Sequence, residues 1–442
     1  MSTTLSDARL QESMMVVEDG PATPPAARFA EALQPRLMGP RIAAVLGGRP
    51  TCHVLDAKYE PGVRATVLYE CAGGLLRGDL LTTDDPGDVE RPVAVVAPGV
   101  RVCRFPHDPD LPALPQVMDP VRLGPELAGA LQIQVAGFGR PAAVRCRISL
   151  LRYRPGKRVT VLVAFVGEPN RYVAKAYHDP AKAAAVAEEA ATLSSATRPH
   201  GVLRFAPTVA HLPELSLVVQ QRVGGTPLDA LLGSRGSGLA AQDAVRCAAR
   251  ALAELHDSAV VTSRQRPVER ELQRFRARAG RIGSVDPRLG AATAQLAVRL
   301  LRVRADLPPA RMGPVHGDCK PSQFMVDAGH VYLMDLDHVG VSDQAGDVGT
   351  FLASLRQLVV RRSLAGRRVH TSGGLAELSE LFLETYLEAR DDGRSRTRIR
   401  WQEAVALERK ALRAFARAPR SPLASALVTE ADRCLDRLME AQ

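Results

Sequence analysis

The sequence is short of aromatic residues, of lysine and of paired cysteines, and each shortage removes a class of explanation. Aromatics are 4% of 442 residues, with one tryptophan, and no aromatic RNA-binding signature occurs. No run of about 18 apolar residues exists, so no membrane span is expected. Seven cysteines (Cys52, Cys71, Cys103, Cys146, Cys247, Cys319, Cys434) form no CxxC pair, and their number is odd. That argues against a disulfide framework and against a zinc knuckle. Residues 1–18 carry Asp7, Glu12 and Glu18 and lack a basic start followed by an apolar block. They do not read as a secretory signal, and a cytoplasmic location is expected.

Lysine is the most telling shortage. Lysine and arginine number 58 against 48 acidic residues, a net charge of +10, yet only Lys58, Lys157, Lys175, Lys182, Lys320 and Lys410 are lysines. Arginine serves wherever a generic cation suffices, so a lysine at a special place merits inspection. The positive charge is spread along the chain, without zinc finger or basic zipper. It reads as a solvated arginine-rich surface, and no nucleic-acid partner is expected.

With 46% hydrophobic residues a sizeable core can form. Residues 1–25 read as disordered. A helix is expected over 26–37, then strands and turns from Thr51 to Phe105, then an irregular proline-punctuated stretch over 106–115. Tyr59 to Leu68 and Tyr153 to Leu162 match at seven of ten positions, 94 residues apart. Each copy places Pro-Gly in a tight turn and continues as Thr-Val-Leu, so each reads as a β-hairpin. The second copy leads through 161–165 to a strand over 172–177 carrying Lys175. A helix follows over 181–194, then strands near 208–210 and 215–222. From about Ala240 the pattern is mainly helical, with a β-rich interlude over 312–337. This predicts an α+β class. The units expected are 1–25 disordered, 26–140 a non-catalytic β-rich unit, 141–223 a β-rich lobe and 224–442 a helical lobe. Aligning the two hairpins puts Leu81 at the position of Lys175.

The chemistry concentrates in His316-Gly317-Asp318, followed by Gln323 and by a strand ending at Asp335 and Asp337. The first aspartate can accept a hydroxyl proton. The amide and the second aspartate can hold magnesium over phosphates. These residues, with Met334-Asp-Leu-Asp337 and Gly346-Asp-Val-Gly349, resemble the core of aminoglycoside phosphotransferases and of choline- and sugar-kinase-like enzymes. The likeness covers about Arg145 to Leu355. It implies a bilobal protein-kinase-like fold and an ATP- and magnesium-dependent kinase acting on a small-molecule hydroxyl, such as an aminoglycoside, a sugar or a nucleoside antibiotic.

On that resemblance Asp318 is the base that orients the acceptor hydroxyl, and Lys320 neutralises the transferring phosphoryl group. Asp335 is the magnesium aspartate, assisted by Asp337. Gln323 stands where the family has asparagine and offers the same carbonyl oxygen on a longer arm. His316 and His256 are structural, and Asp347 ties down the catalytic loop. Lys175, in Tyr172-Val-Ala-Lys175, resembles the kinase strand lysine that meets the nucleotide phosphates and pairs with a helix glutamate, here Glu189. No GxGxxG precedes it. The turn with Gly156, Lys157 and Arg158 takes that place, with backbone amides and cations for phosphate. Gln220, Gln221, Arg222 and Val223 would present backbone donors and acceptors to adenine. The acceptor is expected among the helices from Val268 onward, where arginines outnumber Glu269 and Glu271. A peptide kinase and a binding module without turnover remain open beside the small-molecule kinase. The short spacing of Asp335 and Asp347 speaks against the first, and retention of Lys175, Asp318 and Asp335 against the second.

Overall fold

The computed structural model describes residues 24–61, 64–81, 93–133, 145–195, 200–233, 238–260, 264–366, 372–390 and 392–440. The expected disordered stretch lies outside them as far as residue 23, as do Gly62 and Val63 in the turn of the first hairpin.

The chain opens with two helices, α1 (Pro24–Ala32) and α2 (Pro35–Leu46), in place of the single helix expected over 26–37. Pro35 explains the break: it cannot continue α1, but its fixed φ suits the first turn of α2. Five strands follow: β1 (Cys52–Glu60), β2 (Arg64–Cys71), β3 (Gly74–Leu80), β4 (Val93–Ala97) and β5 (Val100–Arg104). The stretch expected to be irregular ends in helix, with α3 (Leu114–Val117) and then α4 (Pro120–Ala130). Asp119 caps α4, accepting from Val121 N at 2.9 Å.

The second β-rich portion holds β6 (Cys146–Arg154), β7 (Arg158–Phe165), β8 (Arg171–Tyr177), α5 (Pro180–Ser195), β9 (Leu203–Arg204), β10 (Thr208–Leu212) and β11 (Leu217–Gln221). Then come β12 (Thr226–Pro227), α6 (Leu228–Gly233), α7 (Gly238–His256), α8 (Val268–Gly283) and α9 (Pro287–Arg304). The segment that carries His316 to Asp337 is built on β13 (Met312–Val315), β14 (Phe324–Asp327), β15 (His330–Leu333) and β16 (Gly340–Asp343). Four helices close the fold: α10 (Ala345–Leu364), α11 (Ser372–Arg390), α12 (Arg396–Arg417) and α13 (Leu423–Glu440).

The two five-stranded sheets run in the same spatial order. The first is β1-β2-β3-β5-β4, and the second, from its β6 edge, is β6-β7-β8-β11-β10. The sequence repeat thus marks two sheets of one design. Only residues 81–92 separate β3 from β4, too few for a helix as long as α5, which has 16 residues. The register corrects the expected alignment. Thr160 sits opposite Lys175, and its counterpart Thr66 sits opposite Asp79, not Leu81. The first sheet therefore carries a carboxylate where the second carries the lysine, which unsuits it for nucleotide phosphate.

The first sheet docks mainly on the helical lobe. Phe29 stacks on Tyr59 at 4.8 Å, and Tyr59 meets Phe415 of α12 at 6.3 Å. One continuous core joins Val67, Tyr69 and Val102 of that sheet to Trp401, Leu412 and Leu435. α12 lies under this core and also against α10. A Cβ on Gly349 of α10 would sit 2.6 Å from the Gln402 carbonyl carbon and from Glu403 N. Gly349→Ala is therefore expected to push the helices apart and cost about 1–3 kcal/mol. Urea unfolding checks this: the midpoint falls at constant slope, and an unchanged midpoint would mean that α10 and α12 are not tightly held here.

Candidate active site

The catalytic loop is fixed by one buried carboxylate. Asp347, in the first turn of α10, accepts from His316 N at 2.6 Å and Gly317 N at 2.8 Å. It also faces His256 Nε2 at 3.2 Å, while the Tyr386 hydroxyl lies 2.7 Å from His256 Nδ1. Burial pushes the His256 ring below its ordinary pKa, so Nε2–H donates to Asp347 and Nδ1 accepts from Tyr386. His316 reaches Met334 O through Nε2 at 2.8 Å, which ties the loop to the end of β15. Gly317 has φ +76°, and a Cβ there would meet His338 O at 2.2 Å. Only glycine allows the loop this close to the Asp337–His338 segment. The structural roles expected for His256, His316 and Asp347 follow from these contacts.

Asp318 emerges from this loop largely buried. Its Oδ2 accepts from Lys320 Nζ at 2.5 Å, and its Oδ1 lies 3.5 Å from Arg413. Burial pushes its carboxyl up, but Lys320 and then Arg413 outweigh that and hold it well below the usual carboxylate range. Arg413, on α12 and far along the chain, was not singled out from the sequence.

Asp335 follows β15 with φ +61°, a left-handed conformation unusual for aspartate and costing about 1–3 kcal/mol. Such strain is typical of functional positions. Lys175 Nζ donates to Asp335 Oδ1 at 2.9 Å. Arg158 grips both Asp335 oxygens at 3.0 Å and also reaches Asp337. Gln323 Nε2 stands 3.5 Å from Asp335 Oδ2. Burial opposes the charge on Asp335, but Lys175 and Arg158 prevail and keep its carboxyl far below the ordinary range. Asp337 accepts from Tyr177 OH at 2.7 Å, and its main-chain oxygen accepts from Lys182 Nζ at 2.7 Å. Burial, followed by Arg264, Arg266 and Arg158, pushes Lys182 down to about 8.

Several expectations need correction. Lys175 does not pair with Glu189; it pairs with Asp335, and Glu189 faces Arg264 at 3.5 Å. The amide of Gly156 already donates to Asp108 Oδ2 at 2.8 Å, beside Tyr153 OH at 2.7 Å. The turn expected to meet phosphate is thus held by the segment after the first sheet. Lys157 is exposed, whereas Arg158 is buried against the aspartates. At the expected adenine edge, Gln221 N and Arg222 N are bonded to Pro207 O and Arg171 O at 2.8 Å each, so these two N–H groups are not free donors. Gln220 faces Thr208 across β10, and Val223 follows β11.

Beyond Asp318 the site opens into a cavity of about 1510 Å³, lined by Lys320, the tip of the phosphate turn, the first sheet, α10 and α12. Of the helices from Val268 onward, α10 and α12 line it, whereas α9 and α8, which carries Glu269 and Glu271, do not. There, Glu269 and Glu271 pair with Arg304 and Arg409. Lys58, Lys157, Lys320 and Lys410 line the cavity, and Lys175 and Lys182 bond the Asp335–Asp337 segment.

Among the described residues no three His, Cys, Asp or Glu side chains form a metal cluster, and no helix is long and apolar enough to cross a membrane. Asp335, Asp337 and Gln323 bring two carboxylates and one amide together, the carboxylates here bonded to Arg158, Lys175 and Tyr177 and the amide turning Nε2 to Asp335. That is a hard set suited to magnesium.

A model of a phosphotransferase enzyme family matches residues 154–381, just over half of the chain. No curated protein sequence matches. Among solved structures, choline kinase from Cryptosporidium parvum Iowa II aligns with TM-score 0.50 at 13% identity, over 72% of this chain and 96% of that one. That likeness is one of fold. A choline/ethanolamine kinase family protein from Mesorhizobium loti aligns with TM-score 0.46 at 15% identity, over 71% and 98%. The streptomycin–ATP–APH(2″)-IIa ternary complex aligns with TM-score 0.44 at 10% identity, over 70% and 94%. The chain belongs to the phosphotransferase enzyme family, as a small-molecule phosphotransferase with a hydroxyl group as acceptor.

Proposed function

We propose that the protein transfers the γ-phosphoryl group of magnesium-bound ATP to a hydroxyl of a small molecule held in the cavity beside Asp318. The observation that carries this is the meeting of Lys175 with Asp335 at 2.9 Å across the two lobes, with Gln323 3.5 Å from the same carboxylate. Magnesium, held by Asp335, Asp337 and Gln323, would supply neutralisation of phosphate charge. Lys175 and Arg158 orient the phosphates from the strand side, Lys320 faces the transferring group, and Asp318 holds the acceptor hydroxyl in line. The nucleotide base lies toward the β11 edge at Gln220 and Val223. Residues 26–140 act as a non-catalytic unit that walls the acceptor cavity and braces the phosphate turn through Asp108.

Thermal unfolding with and without Mg-ATP tests this. At ligand about 100 times its Kd, stabilisation of about 2.7 kcal/mol is expected, a shift of several degrees. The shift is lost on omitting magnesium and in Asp335→Asn, which keeps the side-chain size beside Arg158 and Lys175. A shift that survives in that variant assigns the metal elsewhere. No shift with ATP or GTP sinks the nucleotide reading.

A further inference from the structure

The cavity wall is unbalanced in charge. Eleven arginines and lysines line it against six aspartates. Most of those aspartates are already engaged. Asp79, Asp108 and Asp110 all pair with Arg77, and Asp318 faces Lys320 and Arg413. Asp56 faces Arg417 at 3.8 Å and accepts from Ala57 N. Among the described residues Arg152, Arg154 and Arg361 have no carboxylate partner. Lys410 bonds neutral groups only, Ser354 Oγ at 2.9 Å and Gln357 Oε1 at 3.4 Å.

These cations come from separate elements: Arg152 and Arg154 from β6, Arg361 from α10, Lys410 and Arg417 from α12. A solvated surface stripe would lie on one element. Convergence of three elements on one open cavity is a binding arrangement. The cations also divide. Arg154 sits near enough to Asp335 and Asp318 to feel their charge, Arg152 feels Arg158 and Asp335 as well as Arg417, and Arg361 feels Arg417 alone. Arg154 belongs to the phosphoryl side, Arg361 and Arg417 to the far end, and Arg152 stands between them.

We infer that the acceptor is an anion: a hydroxylated small molecule bearing a phosphate or carboxylate, which seats on Arg152, Arg361 and Arg417 while its hydroxyl faces Asp318. This rests on the phosphotransferase reading of Asp318. Guanidinium groups suit the fork geometry of both anions. The energetics agree. Loss of part of their hydration at the cavity wall, then neighbouring arginines, push Arg152 and Arg361 below the ordinary arginine value, and burial with Arg409 and Arg413 brings Lys410 down to about 7. A bound anion relieves that repulsion, and a cationic acceptor adds to it.

Isothermal titration of the full chain at saturating magnesium and AMP-PNP tests this with four probes: glucose 6-phosphate, gluconate, glucose and glucosamine. At least one anion should bind about tenfold tighter than glucose, and glucosamine weakest of all. The order of the two anions separates phosphate from carboxylate. The double variant Arg152→Gln/Arg361→Gln should weaken the anion about tenfold and leave AMP-PNP affinity unchanged. Arg361→Lys alone should retain most of the binding. Both arginines are exposed, so the fold should survive, and the melting temperature confirms it. Anions that bind no better than glucose, that do not bind at all, or that bind the double variant unchanged overturn the inference. Failure of AMP-PNP to bind, with anion binding still lost in the double variant, sinks the nucleotide reading and leaves the anion site standing.

Discussion

Asp318→Asn is expected to lower the rate of phosphoryl transfer by about 10²–10⁴-fold while leaving magnesium-nucleotide affinity nearly unchanged. The substitution keeps the shape of the side chain but removes its charge. Lys320 then loses its 2.5 Å partner and Arg413 its 3.5 Å one. On the proposed mechanism the acceptor hydroxyl loses the group that orients it and takes its proton as the phosphoryl bond forms. Single-turnover release of ADP reads the loss as a fall in rate at fixed nucleotide Kd. An unchanged rate would remove Asp318 from this role. The pH profile adds a second reading. The Asp318 carboxyl is held well below its ordinary value, so the ionised form persists far into acid. The acid limb due to this group should therefore lie below the free aspartate range of about 4. A carboxylate so easily kept ionised is a weak ground-state base, which suits a loose transition state where the proton leaves late.

How much of this site could be read from the sequence depends on how locally each part is encoded. His316, Gly317, Asp318 and Gln323 lie within eight residues, and Asp335 ends the next hairpin, so spacing alone placed them together. The lysine shortage draws attention to Lys175 and Lys320, and the structure adds that Lys58 and Lys410 line the same cavity as Lys320. The repeat was legible as two hairpins, but its extension failed at Leu81. The β2–β3 connection is residues 72–73 and the β7–β8 connection is 166–170. A constant offset between copies cannot survive such a change in loop length, and only strand register identified Asp79. The Glu189 pairing failed for a different reason. In its place Arg158 and Lys175 share the two aspartates, and Arg264 takes Glu189. Among many arginines, sequence does not say which cation meets which anion. Nor could alternation in β1 and β2 reveal that their apolar face packs on α12, some 350 residues later. Periodicity marks a face to be buried and leaves its partner unspecified.

Asp347→Ala should be the most destabilising single change at the site, about 3–5 kcal/mol. The carboxylate is 2% exposed and accepts three hydrogen bonds, from His316 N, Gly317 N and His256 Nε2. Alanine strands two buried backbone N–H groups and the imidazole N–H, each at a cost of about 1–3 kcal/mol. Water that enters the space recovers part of this. Asp347→Asn keeps one oxygen but turns an NH2 toward a donor, so it should fall between wild type and alanine. Chemical unfolding measures both, and activity should fall in step because Gly317 and Asp318 lose their anchor. The pH dependence carries a definite sign. Burial raises the Asp347 carboxyl, but His256 and the loop amide outweigh it, so its folded pKa lies below the unfolded one. Its contribution is complete above the unfolded value of about 3.9 and is lost as pH falls through the folded value. Wild type should therefore lose stability on acidification below pH ~4 more steeply than Asp347→Ala, and the two unfolding curves should converge in acid. If the alanine variant instead stays as stable as wild type near neutral pH, the loop is held by its glycine turn and by His316, and Asp347 is only a neighbour.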